Sequence, residues 1–267
     1  CCPKNVINVK EIYKLYNLES LSLSSCEFKG KLKLNLKSLK KLKELTLYSG
    51  DIKSVKISKN KNLESLILAE NISDIDLTKN KKLKYLSICG NKKMRKVNLK
   101  KNVKIQELEL FSIESKYSLK FNKELKRLYV DKTKLPDISK NAKLKSLNCF
   151  YAENERISIN KGNRSLENVD ICLGNKAVKF SIKGCKKLKK LELWGSGKLD
   201  KVKIANCGKI KAFTLCDCTV DKYESDVTQY IQIYRASILG NYYNNKKIAI
   251  TKEDINNYNQ TITMPGN

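Results

Sequence analysis

A solenoid of stacked β-coils is the fold class that the amino-acid sequence predicts. Three observations predict it: an aliphatic repeat kept through ten copies, a second short alternation between the copies, and a column of Asn and Cys in register with both. The repeat reads aliphatic-x-x-aliphatic-x-aliphatic. It runs Leu18, Leu21, Leu23; Leu42, Leu45, Leu47; Leu63, Leu66, Leu68; Leu83, Leu86, Ile88; Ile105, Leu108, Leu110. It continues as Leu125, Leu128, Val130; Leu144, Leu147, Cys149; Leu166, Val169, Ile171; Leu188, Leu191, Leu193; Ile210, Phe213, Leu215. From Leu18 to Ile210 is 192 residues over nine steps, a mean of about 21. Apolar residues two apart share one face of an extended strand, so each copy predicts a strand with one buried face.

The second alternation is Leu34/Leu36, Val55/Ile57, Ile75/Leu77, Val97/Leu99, Tyr117/Leu119, Ile157/Ile159, Phe180/Ile182 and Val202/Ile204. Each coil therefore predicts two short strands joined by two turns, because neither half holds the roughly 10 to 12 residues of an ordinary helix. In the shortest coil Pro136 precedes Ile138 where an aliphatic belongs, and proline cannot donate to a strand ladder, so the second strand is expected to fail there. One coil cannot bury its own aliphatic face, whereas stacked coils share a core. At about 4.8 Å per parallel strand, ten coils predict an elongated molecule on the order of 45 Å long.

The third column lies three residues past the second alternation: Asn60, Asn80, Asn102, Asn122, Asn141, then Cys185 and Cys207. A buried amide there can bond backbone groups of its own and the neighbouring coil, satisfying atoms otherwise orphaned. Leu39 opens the column near an end, and one extra residue disturbs it around residues 160–163.

The segment Leu63-Glu-Ser-Leu66-Ile-Leu68-Ala-Glu-Asn71, followed by Ile72 to Asn80, resembles the leucine-rich-repeat consensus. The Leu-Thr-Lys-Asn-Lys-Lys-Leu run at 77–83 is similar to the repeats of about 21 residues in secreted surface proteins of Clostridia and Bacteroidetes, distantly internalin-like. The resemblance covers about residues 18–218. It implies a curved right-handed solenoid of the α/β horseshoe class by convention, here mostly β with little or no helix. It also implies extracellular placement, with protein or glycan binding in those relatives that have a known role. Residues 1–17 are expected to be an N-terminal cap, 18–223 the repeats, and 224–267 a C-terminal cap or the start of a further β module.

Composition narrows the function. With 41% apolar residues a folded core is expected despite a net charge of +28. Lys, Asn and Ile also share A/T-rich codons, so part of the charge reflects codon bias. No stretch approaches the roughly 18 apolar residues of a membrane span. Histidine is absent, which removes the commonest general base, the commonest metal ligand and every Ser-His or Cys-His nucleophile. The chain starts at Cys1; processing of a leader or a chosen boundary explains that equally, and Cys1 has a reading as the acylated residue of a lipoprotein of a Gram-positive-like bacterium.

Most of the ten cysteines occupy fixed repeat positions: Cys149 in the core, Cys185 and Cys207 in the ladder, Cys26 and Cys218 where Asn71 and Asn91 stand. They read as packing choices. Cys216 and Cys218 form the one tight pair after the N-terminus, with no second pair to complete a four-ligand metal site. A Cys185–Cys207 bridge on adjacent rungs, or a clip from Cys1 or Cys2 to Cys26, is compatible with disulfide geometry.

Two surface columns are candidates for binding. The position just after each first strand carries Ser24, Tyr48, Ala69, Cys89, Phe111, Asp131, Phe150, Cys172, Trp194 and Cys216. Tyr48, Phe111, Phe150 and Trp194, with Tyr85, Arg127 and Tyr129 beside them, make an aromatic stripe of interface-anchor residues; the competing reading is that these side chains fill space under the next turn. The other column is a Lys ridge along the ladder turn: Lys79, Lys81 and Lys82; Lys100, Lys101 and Lys104; Lys183, Lys186 and Lys187, with Lys59, Lys61, Lys120, Lys123, Lys140, Lys143, Lys161, Arg164 and Lys209. It would attract teichoic acid, sulfated glycan, nucleic acid or an acidic protein, or else it is a solvated turn. The one catalytic-looking pair, Asp170 and Glu192 on adjacent coils, lies on an open face with Lys189 and Lys190 nearby. A non-catalytic protein- or glycan-binding module without cofactor or metal is the expectation. Electrostatic attachment to an anionic polymer and a structural spacer are the alternatives, and no oligomer is implied.

Overall fold

The computed structural model describes residues 9–24, 28, 31–68, 72, 75–89, 94, 97–113, 116–208 and 210–225, with Ala152 by its backbone alone. It also describes the backbone of five later strands: Gln229–Tyr234, Ser237–Ile238, Asn241–Tyr243, Lys246–Ile248 and Gln260–Met264. Two compact units divide the chain, Cys1–Leu125 and Lys126–Asn267. Cys1, Cys2, Cys26, Ala69, Asn71, Asn91 and Lys209 lie outside the described residues, and with them the N-terminal clip and the acylated Cys1.

In the first unit a short helix, Val9–Ile12, precedes five parallel strands paired in chain order: Ser20–Ser24, Glu44–Tyr48, Ser65–Leu68, Tyr85–Ile88 and Glu107–Phe111. Their register places Leu21, Leu45, Leu66, Leu86 and Leu108 in one row and Leu23, Leu47, Leu68, Ile88 and Leu110 in the next. Both rows are buried. Every repeat aliphatic thus lies beside its counterpart about 4.8 Å away, and the stack forms one continuous apolar core.

The second unit repeats the scheme with Arg127–Asp131, Ser146–Ala152, Asn168–Leu173, Lys190–Trp194 and Ala212–Cys216 in parallel. The stacking continues past Tyr223, because Gln229–Tyr234 pairs parallel to Ala212–Cys216; Gln260–Met264 then pairs antiparallel with it. A second sheet runs along the other side of these coils: Arg156–Ile159, Val178–Lys183, Lys198–Ala205 and Tyr223–Ser225 are parallel neighbours, extended by Asn241–Tyr243 and Lys246–Ile248.

Two strands in every coil is a prediction that needs correcting. Leu32–Asn35 pairs with Ile52–Lys56 as expected, but 75–77, 97–99 and 117–119 have no strand pairing, and neither have 134–138 around Pro136. Coil length supplies the reason. The coils starting at Leu63, Ile105 and Leu125 are 20, 20 and 19 residues long, whereas those starting at Leu144, Leu166 and Leu188 have 22. A shorter arc leaves about three residues on the second side, and the 22-residue coil at Leu83 sits between short neighbours with no strand to pair. Loss of the proline amide is therefore one contribution among several.

The Asn column is a hydrogen-bonded ladder. Asn80 Nδ2 donates to Ile57 O at 3.0 Å and to Asn60 O at 2.8 Å. Asn102 does the same to Leu77 O (2.9 Å) and Asn80 O (3.0 Å), and Asn122 to Leu99 O and Asn102 O. Asn60 serves Leu36 O and Leu39 O, the carbonyls of the coil that carries leucine at this position. The disturbed stretch also has its rung: Asn163 donates to Ile138 O at 2.8 Å. Counting back three residues from Leu166 finds it, as from Leu63 to Asn60; counting forward from Ile159 across the extra residue does not. In the second unit Asn141 is fully buried at the equivalent place of its coil, and Cys185 and Cys207 make weak thiol contacts there to Asn160 O (3.6 Å) and Ile182 O (3.8 Å).

Candidate binding surface

The side chain that closes each main strand sits where the backbone turns sharply. Phe111, Asp131, Phe150 and Cys216 are each followed by a residue with positive φ: Ser112 (52°), Lys132 (48°), Tyr151 (47°) and Asp217 (54°). After Trp194 the turn residue is Gly195, at φ 104°, where an added Cβ would lie 2.8 Å from Leu173 O. The chain leaves the sheet immediately after Phe111, Asp131, Trp194 and Cys216, whereas the strand of Phe150 runs on to Ala152. That side chain therefore stands at the rim of the strand face, half-buried at Phe111, Phe150 and Trp194.

In the second unit the expected aromatics meet. Tyr129 and Phe150 approach edge-to-face with centroids 5.1 Å apart, and Phe150 and Trp194 at 5.5 Å. The second contact spans the intervening strand Asn168–Leu173, whose penultimate residue Cys172 is 1% exposed. A bulge between Ile171 and Leu173 displaces the pairing there, and the small thiol leaves room for the two rings to meet. Such pairs contribute about 0.5–1.5 kcal/mol each beyond their buried area.

Two carboxylates are built into this row. Trp194 Nε1 donates to Asp170 Oδ1 at 2.6 Å. Burial pushes the Asp170 carboxyl above the usual aspartate range, opposed by that indole hydrogen bond. Burial likewise raises Asp131, whose Oδ1 is enclosed without a hydrogen-bond partner. Glu192, in register with Asp170, is held by Lys190 at 2.8 Å. The pair on which glycoside chemistry could be imagined is thus divided between an indole and an ammonium, on an open strand face.

Tyr151 belongs to the same surface and sequence reasoning missed it. It is 50% exposed, and Lys132 Nζ lies 5.6 Å from its ring centroid. Its left-handed backbone would show in sequence only through a glycine, and among the described turns of this kind Gly195 alone marks its place that way.

The other expected residues are arranged differently. In the first unit Tyr85 Oη donates to Glu109 Oε2 at 2.8 Å, and burial followed by that carboxylate pushes the phenol up to about 12. Tyr48 is 48% exposed and in register with Ser24, apart from the other aromatics of its unit, since the next closing positions are Ala69 and Cys89. Arg127 is exposed at the start of its strand.

The Lys ridge is exposed throughout its described length. Lys79, Lys81, Lys82, Lys100, Lys101 and Lys104 in the first unit and Lys183, Lys186 and Lys187 in the second form no ion pair among the described residues. Their contacts are neutral: Lys82 Nζ to Asn62 Oδ1 at 2.8 Å, Lys186 to Asn206, and Lys100 with Lys120 over the ring of Phe121.

The cysteines behave as packing residues. Burial pushes the Cys149 and Cys218 thiols up to about 12 and raises Cys172, the opposite of an activated thiolate. Cys185 is raised chiefly by its hydrogen bond with Cys207, and both are free thiols.

No family model and no curated protein matches the sequence. Among solved structures the chain is similar to the functional domain of InlJ from Listeria monocytogenes, which includes a cysteine ladder, at 16% identity over 81% of this chain, with a TM-score of 0.42. It spans 61% of that domain. An internalin, InlF, from Listeria monocytogenes is similar at 14% identity, over 81% of this chain and 78% of that one, with a TM-score of 0.45. The plant peptide hormone receptor RGFR1, in complex with RGF2, is similar at 16% identity over 81% of this chain and 46% of the receptor, with a TM-score of 0.47. The parallel ladders in leucine register and the amide column between coils give the chain a leucine-rich-repeat fold.

Proposed function

We propose that this chain is a non-catalytic binding module of a secreted or surface-attached bacterial protein, and that it takes a protein or glycan ligand on the main-sheet face of its second unit. The observation that carries the reading is the row Tyr129, Phe150 and Trp194, in which Phe150 contacts both of the other rings at the rim of the sheet. Pre-packed aromatics lose little side-chain entropy on binding, which is why such residues anchor interfaces. Asp131 and Asp170 beside them offer acceptors already partly out of water. The test is capture of ligands from a glycan array and a displayed peptide library by the purified chain. The double variant Phe150→Ala/Trp194→Ala should bind every selected ligand at least roughly 100-fold more weakly while keeping a cooperative unfolding transition. Ligands retained at full affinity would refute the reading.

A second reading is favoured by the ridge of Lys79, Lys81, Lys100 and Lys101, four exposed ammonium groups without an ion-pair partner among the described residues. Attachment to an anionic polymer through it would collapse steeply between low and moderate salt. Binding insensitive to salt would exclude it.

A further inference from the structure

The second sheet of the second unit carries an arrangement that neither surface above uses. Arg156 is in register with Lys179, Lys179 with Lys201, and the next strand brings Lys222 alongside, its carbonyl accepting from the Val202 amide at 2.8 Å. Four cations therefore occupy one cross-strand column, with backbones about 4.8 Å apart. Like charges directly opposite one another destabilise a sheet. Only Lys201 is relieved, by Glu224, which it shares with Lys203. Arg156, Lys179 and Lys222 form no ion pair among the described residues.

Beside this column, two residues further along each strand and on the same face, stand Ser158, Ser181 and Lys203. Ser181 Oγ donates to Ser158 Oγ at 3.2 Å. Arg156, Lys179, Ser181 and Ser158 make a rectangle of about 4.8 by 6.6 Å at backbone level, over the buried Phe180. Arg156, Lys179 and Ser181 line a groove of about 630 Å³ together with Asp200 and Asp221, and Ser158 stands beside it, bonded to Ser181. A guanidinium fork, an ammonium and two hydroxyls carried by backbone positions this close together suit a tetrahedral oxyanion.

We infer that this groove binds a glycan bearing sulfate or phosphate groups, with an oxyanion seated on Arg156, Lys179, Ser158 and Ser181. The rim carboxylates favour a sugar over a nucleic acid. Asp200 can accept hydrogen bonds from sugar hydroxyls, whereas it would repel a backbone with a charge on every residue. No exposed aromatic ring lines the groove to stack a base, since Phe180 lies beneath it.

The experiment is calorimetric titration of the whole chain with one oligosaccharide in three forms: sulfated, phosphorylated and unmodified. A charged form should bind and the unmodified form should not; the stronger of the two charged forms identifies the ester. Arg156→Gln/Lys179→Gln should weaken binding at least 10-fold, and Arg156→Lys several-fold, because a point charge replaces a fork. The double variant should unfold at the same or higher temperature, since it removes like-charge repulsion, so lost binding cannot be ascribed to lost folding. Lys81→Gln/Lys101→Gln on the ridge and Phe150→Ala/Trp194→Ala on the main sheet should leave the affinity within about twofold, which separates this site from both readings above. The inference is overturned if neither charged form binds, if the ridge variant accounts for the loss, or if single-stranded DNA of equal charge binds as tightly through Arg156 and Lys179.

Discussion

Asp170 is a carboxylate that the fold has half removed from water and tied to an indole. Burial raises its pKa and the Trp194 hydrogen bond partly offsets the rise. A carboxyl whose folded pKa exceeds its unfolded value binds more protons in the folded state within that interval, so its contribution to stability falls as pH rises through it. Asp170→Asn keeps an acceptor for the indole and removes the titration. Relative to the parent chain, the variant should gain stability as pH rises above the ordinary aspartate value of 3.8 and show no gain below it. Urea midpoints across pH 3 to 7 check this. Trp194 is the one tryptophan in the chain, so its emission should titrate over the same interval in the parent and lose that component in the variant. A variant with the parent's pH profile would mean that Asp170 is not desolvated in solution.

At the scale of the coil, the ladder amide decides whether neighbouring turns stay together. Asn102 Nδ2 serves the carbonyls of Leu77 and Asn80 in the preceding coil, and its site is fully buried. Asn102→Ala removes one of two donors from each carbonyl, since Leu77 O keeps the Asn80 amide at 3.0 Å and Asn80 O keeps the Leu83 amide at 3.3 Å. At about 0.5–1.5 kcal/mol for each lost bond, and with the lost Oδ1 giving some relief because it is itself unpartnered, the expected destabilisation is about 1–2 kcal/mol. Asn102→Cys keeps a weak donor in the place that Cys185 and Cys207 occupy in later coils, so its cost should fall between alanine and the parent. Equilibrium denaturation of the three proteins gives the order; an alanine variant as stable as the parent would reduce the ladder to a packing column.

For the chain as a whole, charge is the governing imbalance. The net charge is +28, and the ridge concentrates lysines such as Lys79, Lys81, Lys100 and Lys101 that form no ion pair among the described residues. The ion pairs that do form, such as Lys43–Glu19 at 2.8 Å and Lys84–Glu64 at 2.6 Å, are exposed and contribute little. Self-repulsion should therefore outweigh pairing, and screening should favour the folded state. Raising sodium chloride from 20 to 500 mM is expected to raise the thermal midpoint by several degrees. A fall would mean that attractive pairs dominate.

The coil repeat, the buried rows and most of the ladder were legible in the linear sequence, because each depends on spacing within one coil: two residues between Leu21 and Leu23, three between Asn60 and Leu63. The strand face was legible for the same reason. What sits beside what was not, since lateral neighbours are some 20 residues apart and their meeting depends on coil length, register and bulges. Tertiary structure alone decided that Trp194 reaches past the small Cys172 to Phe150, that Asp170 is claimed by an indole and not by Glu192, and that 75–77, 97–99 and 117–119 find no strand partner. It also decided that Arg156, Lys179 and Lys201 share one column: each stands in an unremarkable polar stretch of its own coil, and only parallel pairing turns three distant cations into a single charged surface.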